Sequence, residues 1–341
     1  MKTNSRKPSN SPKPSNSPDT SPEPAEAQSS KQHWSSSKER GSVLGIKFML
    51  ITYRLFGRKV FSLFLYPIIG YFYLMDKVSR NASKQFLNQL DQHLIAQGKA
   101  PKKLSSFKHI YAFGQSILDK LAGWGGDIDY SQLQFHNEDV LQQILTTGKG
   151  GLILGSHLGN LELCRALSSK YVDLKINALV FTQHAENFNK VMGQVNPSSN
   201  LNLIQVNELG PDTAILLEQK LNDGEWVVIV GDRTSVTQHK RVVWQQFLSK
   251  DAPFPVGPFV LAAILKHPVY LMFGFASEQD ATYDIFFEEF EANPSLPRKG
   301  RDQALQDLIA RYASRLEHYA LRYPLQWFNF FDFWTLDNDT K

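Results

Sequence analysis

The sequence predicts an α/β fold, a mostly parallel or mixed sheet with flanking helices, preceded by N-terminal membrane-associated helices. Three observations carry this prediction. Downstream of Gly150, short apolar runs alternate with stretches of helical periodicity, the pattern of a layered domain whose strands are joined by crossover helices. The run Leu152-Ile153-Leu154 is apolar at consecutive positions and ends at Gly155-Ser156, which reads as a short buried strand. Upstream, residues 43–75 are dense in aromatic and aliphatic side chains and carry basic residues among and beside them, the composition of a segment lying at a membrane interface.

Composition sets the outer limits. A chain of 341 residues, 42% of them hydrophobic, can bury one sizeable core or two small ones. A single cysteine, Cys164, excludes an intrachain disulfide and fits a reducing compartment. The net charge of +4 is unevenly spread: residues 1–40 carry +3, residues 41–84 carry +6, and the remainder is acidic. Positive charge beside the most apolar segment points to an anionic membrane surface rather than to nucleic acid.

In chain order, residues 1–40 are dominated by Ser, Pro, Asn and Lys and are expected to form a disordered tail, since no core can offset the ordering entropy. Residues 41–80 are expected to be a membrane-associated helical segment. Its charge-free run, residues 60–75, has sixteen residues, short of the roughly 20 needed to cross a bilayer, and Pro67 should kink it. Basic residues on both sides of the apolar runs fit a helix pair that enters and leaves by the same face. A plain core helix is the competing interpretation. Residues 81–335 form the expected α/β domain. Its first part, 81–145, reads as helical with breaks near 98–101 and 123–127. Strands follow at 176–181, 203–206, 225–230, 269–276 and 283–290. Helices are expected at 184–195, from Pro211 to Gly224, within 254–266 once past its prolines, and from 302 to about 323. Gly123-Trp124-Gly125-Gly126 and Gly148-Lys149-Gly150 lack the spacing of nucleotide loops and read as turns.

Chemistry concentrates around Gly155-Ser156-His157-Leu158-Gly159-Asn160-Leu161-Glu162. A neutral imidazole beside a carboxylate is a general-base pair, the carboxylate fixing the tautomer and stabilising the imidazolium. Inside one helix, His157 and Glu162 would lie roughly 140° apart and could not meet. The pair therefore requires His157 in a loop and a helix starting near Asn160, a good cap that leaves Glu162 in the first turn. Ligand sites in parallel sheets gather beyond the carboxyl ends of the strands. His157 and Asp232-Arg233 each follow a predicted strand, so both are expected at one crevice. Spacing alone also permits a partly buried histidine near a surface glutamate.

The block around His157 resembles the His-x-x-x-x-Asp/Glu motif of the bacterial lipid A biosynthesis acyltransferases (lauroyl and myristoyl transferases), members of the lysophospholipid acyltransferase superfamily. That family commonly has an aromatic residue where Leu158 stands and Trp where Leu161 stands, departures that bear on the acceptor more than on the reaction. Gly231-Asp232-Arg233 resembles the family's second block, and Phe247-Leu248 with Phe254-Pro255-Val256-Gly257-Pro258-Phe259 its next stretch, with Ser249 in a usual glycine position. Pro324-Leu325-Gln326-Trp327-Phe328 matches its closing segment, so the resemblance covers about residues 43–335. It implies the superfamily's α/β acyltransferase domain, with His157 and Glu162 catalytic and Asn160, Gly231, Asp232 and Arg233 binding substrate. Arg233 would meet a phosphate or carbonyl oxygen, or else form a structural ion pair with Asp232 or Glu225. The aromatic stretch 327–334 reads as core and membrane-facing packing.

No G-x-S-x-G elbow, metal-ligand spacing or internal repeat is present in the sequence. The expected activity is transfer of a fatty acyl group from a thioester, on acyl carrier protein or coenzyme A, to a hydroxyl or amine of a lipid or glycolipid acceptor. No other cofactor and no metal is called for, and the expected place is the cytoplasmic face of a bacterial inner membrane. Lysophospholipid, ornithine-lipid or aryl-polyene-lipid acylation are alternatives, as is a catalytically silent membrane scaffold with the same fold.

Overall fold

The computed structural model describes residues 43–125, 128, 130–161, 174–180, 201–206, 210–234, 241–277 and 282–335. The tail 1–40, the helix expected beyond Asn160 with Glu162 and Cys164, and the helix expected at 184–195 lie outside these residues.

Among the described residues, four α-helices and one strand precede the His157 loop. Helix α1 (Val43–Met75) is two helical pieces joined at Gly57, whose φ of 70° and ψ of 173° are not helical. The break therefore falls at Gly57 rather than at Pro67, because glycine alone adopts such a backbone without strain. Helix α2 (Lys77–Ala96) is capped by Asp76, whose carboxylate accepts the Ser79 N–H at 3.0 Å. Arg80 turns back to donate to the Tyr73 carbonyl at 2.6 Å, at the open end of α1. Helix α3 (Ser106–Gly125) packs on α1 through Phe61, Leu65 and Ile69, one turn apart, against Ile110 and Leu118. Gly123–Gly125 complete the last turn of α3 instead of forming a turn of their own. Strand β1 (Leu133–His136) corrects the expectation of helix through this stretch. Its four residues gain their hydrogen bonds only by pairing with a strand some 150 positions later, which local periodicity cannot reveal. Helix α4 (Glu138–Thr146) follows.

The sheet then builds from β2 (Leu152–Gly155), β3 (Ile176–Val180), β4 (Leu201–Gln205), β5 (Trp226–Val230), β8 (Val269–Ala276) and β9 (Tyr283–Glu291). With β1 its order is β1-β9-β8-β2-β5-β3-β4. Every neighbouring pair is parallel except β8 with β9, so the sheet is mixed and mostly parallel, as expected. Adjacent residues of one strand point to opposite faces. Leu152 and Leu154 join the core under α2, α5 (Pro211–Asn222), α6 (Gly257–Leu265) and α7 (Arg301–Arg322), whereas Ile153 joins a second core under α4.

Residues 242–255 form a hairpin, β6 (Val242–Phe247) and β7 (Lys250–Pro255), that the sequence did not announce. Its two turn residues, Leu248 and Ser249, both have positive φ, 54° and 62°, a geometry that normally selects Asn-Gly. Tertiary contacts impose it. Leu248 is fully buried, its carbonyl accepts from Gln89 at 2.7 Å, its N–H donates to the Glu317 carboxylate, and Ser249 Oγ meets His93 Nδ1 at 2.8 Å. Among the described residues, no helix is long and apolar enough to cross a membrane.

Candidate active site

Strands β2 and β5 are parallel neighbours, with Gly155 opposite Val230. Their carboxyl ends therefore deliver His157 and Asp232 to one end of the sheet, at the shared crevice that sequence reasoning expected. His157 lies in a loop, as the general-base geometry required. Its Nδ1 is 2.8 Å from Asp232 Oδ1 and its backbone N–H donates to Asp232 Oδ2 at 2.9 Å. A carboxylate only accepts, so Nδ1 carries the proton and Nε2 carries the lone pair.

Asp232 is fully buried and further held by Trp327 Nε1 and Asn329 Nδ2, each donating to Oδ2 at 3.2 Å. Burial pushes its carboxyl up, but the His157 ring, the Arg233 charge and the His157 N–H outweigh that and hold it below its ordinary value. For His157 the balance runs the other way. Burial and the positive charge of Arg233 lower its pKa against the pull of Asp232, and Lys120 lowers it further. The imidazole is thus neutral at pH 7, with 29% of its side chain exposed.

The loop carrying the ring is tied down throughout. The N–H groups of His157, Leu158, Gly159 and Asn160 donate to Asp232 Oδ2, Ser156 Oγ, the Gln326 carbonyl and the Gly274 carbonyl respectively. Gly159 has a φ of +80°, and a Cβ there would sit 2.3 Å from the Gly274 oxygen, so only glycine fits. Gly231 donates to the Gly155 carbonyl at 3.0 Å, and the Tyr312 hydroxyl donates to the same oxygen at 2.8 Å. A Cβ at Gly231 would lie 3.0 Å from the Tyr312 ring. Gly231 thus serves close packing behind the site.

The expected site residues divide accordingly. Asp232, expected to meet substrate, is placed against the His157 ring. Arg233, expected to meet a phosphate or carbonyl oxygen or to pair with Asp232 or Glu225, donates from Nε to Asn329 Oδ1 at 2.7 Å and from Nη2 to the Phe328 carbonyl at 2.9 Å. Burial pulls its pKa down to about 10 against the Asp232 charge, and it remains a cation at neutral pH. Asn160 is buried behind the loop. Glu162 lies outside the described residues, and the carboxylate that meets the His157 ring at Nδ1 is Asp232.

Sequence reasoning missed the part played by residues 326–329. Read as packing, Trp327 is indeed in the core, yet its indole also reaches Asp232. A buried indole N–H needs an acceptor, which was the available signal. Gln326 clamps Ala276 through two hydrogen bonds of 3.0 and 2.9 Å, and Phe328 N–H donates to the His157 carbonyl at 2.9 Å. His109 Nε2 holds the Trp327 carbonyl at 2.8 Å while its Nδ1 meets Ser83 Oγ at 3.0 Å. Among the described residues, no group of three or more His, Cys, Asp or Glu could hold a metal ion.

A mixed sheet with a His–Asp pair at the carboxyl edge of adjacent parallel strands is the layout of an α/β enzyme domain. The model of one family, described as bacterial lipid A biosynthesis acyltransferase, matches residues 121–335. The chain belongs to that family and is a lipid acyltransferase in the general sense. A comparison with curated proteins finds no match.

Proposed function

We propose that this enzyme moves a fatty acyl group from an acyl thioester, carried by acyl carrier protein or coenzyme A, to a hydroxyl or amine of a lipid or glycolipid acceptor. The observation that carries the proposal is the part-exposed His157 with Asp232 on Nδ1 and no hydrogen-bond partner at Nε2 among the described residues. Nε2 removes the acceptor proton as the acceptor oxygen or nitrogen bonds to the thioester carbonyl carbon. The tetrahedral intermediate collapses with cleavage of the C–S bond, and the imidazolium returns the proton to the departing thiolate. No acyl-enzyme is needed, because the thioester is already activated. The four N–H groups of residues 157–160 are bonded within the protein, so stabilisation of the oxyanion falls to the cationic field of Arg233 and to donors outside that loop. Glu162, five residues beyond His157 in sequence, is a second carboxylate in the proposal, orienting the ring.

The site works at the cytoplasmic face of a bacterial inner membrane. Supporting this, Leu63, Phe64, Tyr71, Leu74 and Met75 of α1 are exposed apolar side chains, with Lys77, Arg80 and Lys84 close behind in sequence. They would seat the crevice at headgroup level, where an acceptor could reach His157 with its chains still in lipid. Lipid profiling of a strain lacking the gene, complemented with wild type or with His157→Ala, tests the proposal. One acylated species should vanish on deletion, return with wild type and stay absent with the variant. Its return with the variant would overturn the proposal, and its identity would choose among lipid A-like, lysophospholipid, ornithine-lipid and aryl-polyene-lipid acceptors.

A further inference from the structure

The Asp232 carboxylate faces His157 with one oxygen and three donors with the other. One of those donors is unlike the rest. Asn329 is buried, at 2% exposure, and uses both ends of its amide: Nδ2 donates to Asp232 Oδ2 at 3.2 Å, while Oδ1 accepts from Arg233 Nε at 2.7 Å. A hydrogen bond from a cation polarises the amide and strengthens the donor at its other end. We propose that Asn329 is a positioning residue: its amide bridges the Arg233 guanidinium to the Asp232 carboxylate, holding that carboxylate square to the His157 ring and moderating its pull on the ring proton.

The arrangement fits a need of the mechanism. A buried carboxylate with few donors attracts the imidazolium proton strongly and would keep the base protonated at neutral pH. Spreading its charge over the His157 N–H, the Trp327 indole and the Asn329 amide leaves the ring neutral and ready to accept a proton. Arg233 acts on the ring through its charge, and the Asn329 amide carries its hydrogen bond on to the Asp232 carboxylate. The amide also ties Asn329 to the residues that follow β5, and the neighbouring Phe328 N–H holds the His157 carbonyl. The inference rests on His157 being the base, but the property it predicts belongs to the ring and can be measured without substrate.

The test is the titration of His157 itself, in the full chain in detergent micelles. Carbethoxylation by diethyl pyrocarbonate, which attacks only the neutral imidazole, is followed at the His157 peptide by mass spectrometry between about pH 4 and 8. Asn329→Ser removes the bridge, and Asn329→Asp keeps an acceptor for Arg233 while replacing the donor to Asp232 by a second carboxylate. The midpoint should rise in Asn329→Ser by about half a unit to one unit, and further in Asn329→Asp. Thermal melts check that both variants fold. Folded variants that titrate as the wild type does would overturn the proposal, and so would failure of both to fold, which would make Asn329 a stability residue. An unshifted midpoint with an inactive His157→Ala enzyme refutes only this inference. A shifted midpoint with an active His157→Ala enzyme refutes the catalytic proposal instead.

Discussion

At the scale of single residues, His157 is fixed twice by one carboxylate, through its ring and through its own N–H. Two carboxylates compete for the role of orienting group, and their removal should differ. Asp232→Asn deletes the charge and offers an amide that can force the wrong tautomer, so transfer should fall by about 10²–10⁴-fold. Glu162→Gln should lose less, and kcat/KM of both variants with one thioester donor checks the ranking. A fully active Asp232→Asn enzyme beside an inactive Glu162→Gln enzyme would give the role to Glu162. The sequence made His157 and Asp232 legible separately, each as the polar end of an apolar strand. Their bond was not legible, because it joins residues 75 positions apart and exists only because β5 lies next to β2. Asn329 left no trace of any kind: an asparagine within an aromatic run shows nothing of what its two ends will meet.

Among the elements, α1 divides its apolar residues between two uses. Phe61, Leu65 and Ile69 pack on α3, helped by Gly114, where a Cβ would lie 2.8 Å from Ile69 Cδ1. Leu63 and Leu74 remain 70% and 66% exposed. Leu63→Asp with Leu74→Asp should leave thermal stability within about 0.5 kcal/mol of wild type per exposed site. The same variant should shift from the membrane pellet to the supernatant, and to a greater extent in high salt, where the basic residues contribute less. Unchanged sedimentation would place membrane attachment elsewhere, the tail 1–40 included. Long strands and helices such as β8 and α7 were legible because their patterns run for many residues. Strand β1 and the β6–β7 hairpin were not, since four residues carry too little periodicity and Leu248-Ser249 is a turn only because Gln89, His93 and Glu317 hold it.

For the whole molecule, acid stability should report how tightly the closing segment is built in. His109, on α3, is buried against Ser83 of α2 and the Trp327 carbonyl. Burial pulls its pKa from 6.5 down to about 4, against the hydrogen bond to the Trp327 carbonyl. The unfolded chain takes up this proton at the higher pH, so stability is complete above about pH 6.5 and declines as pH falls toward 4, by about 3 kcal/mol for this group. Denaturant titrations across that window should show a shallower decline in His109→Gln, which keeps a donor for the Trp327 carbonyl. Equal slopes in variant and wild type would mean that other groups control the acid limb. The proposed role of His157 as the base for acyl transfer can be read from single-turnover transfer of a radiolabelled acyl group from its thioester into native membrane lipids. Wild type should label one lipid, and His157→Ala, folded and membrane-bound, should do so about 10²–10⁴-fold more slowly. Labelling at the wild-type rate by that variant would show that His157 is not the base.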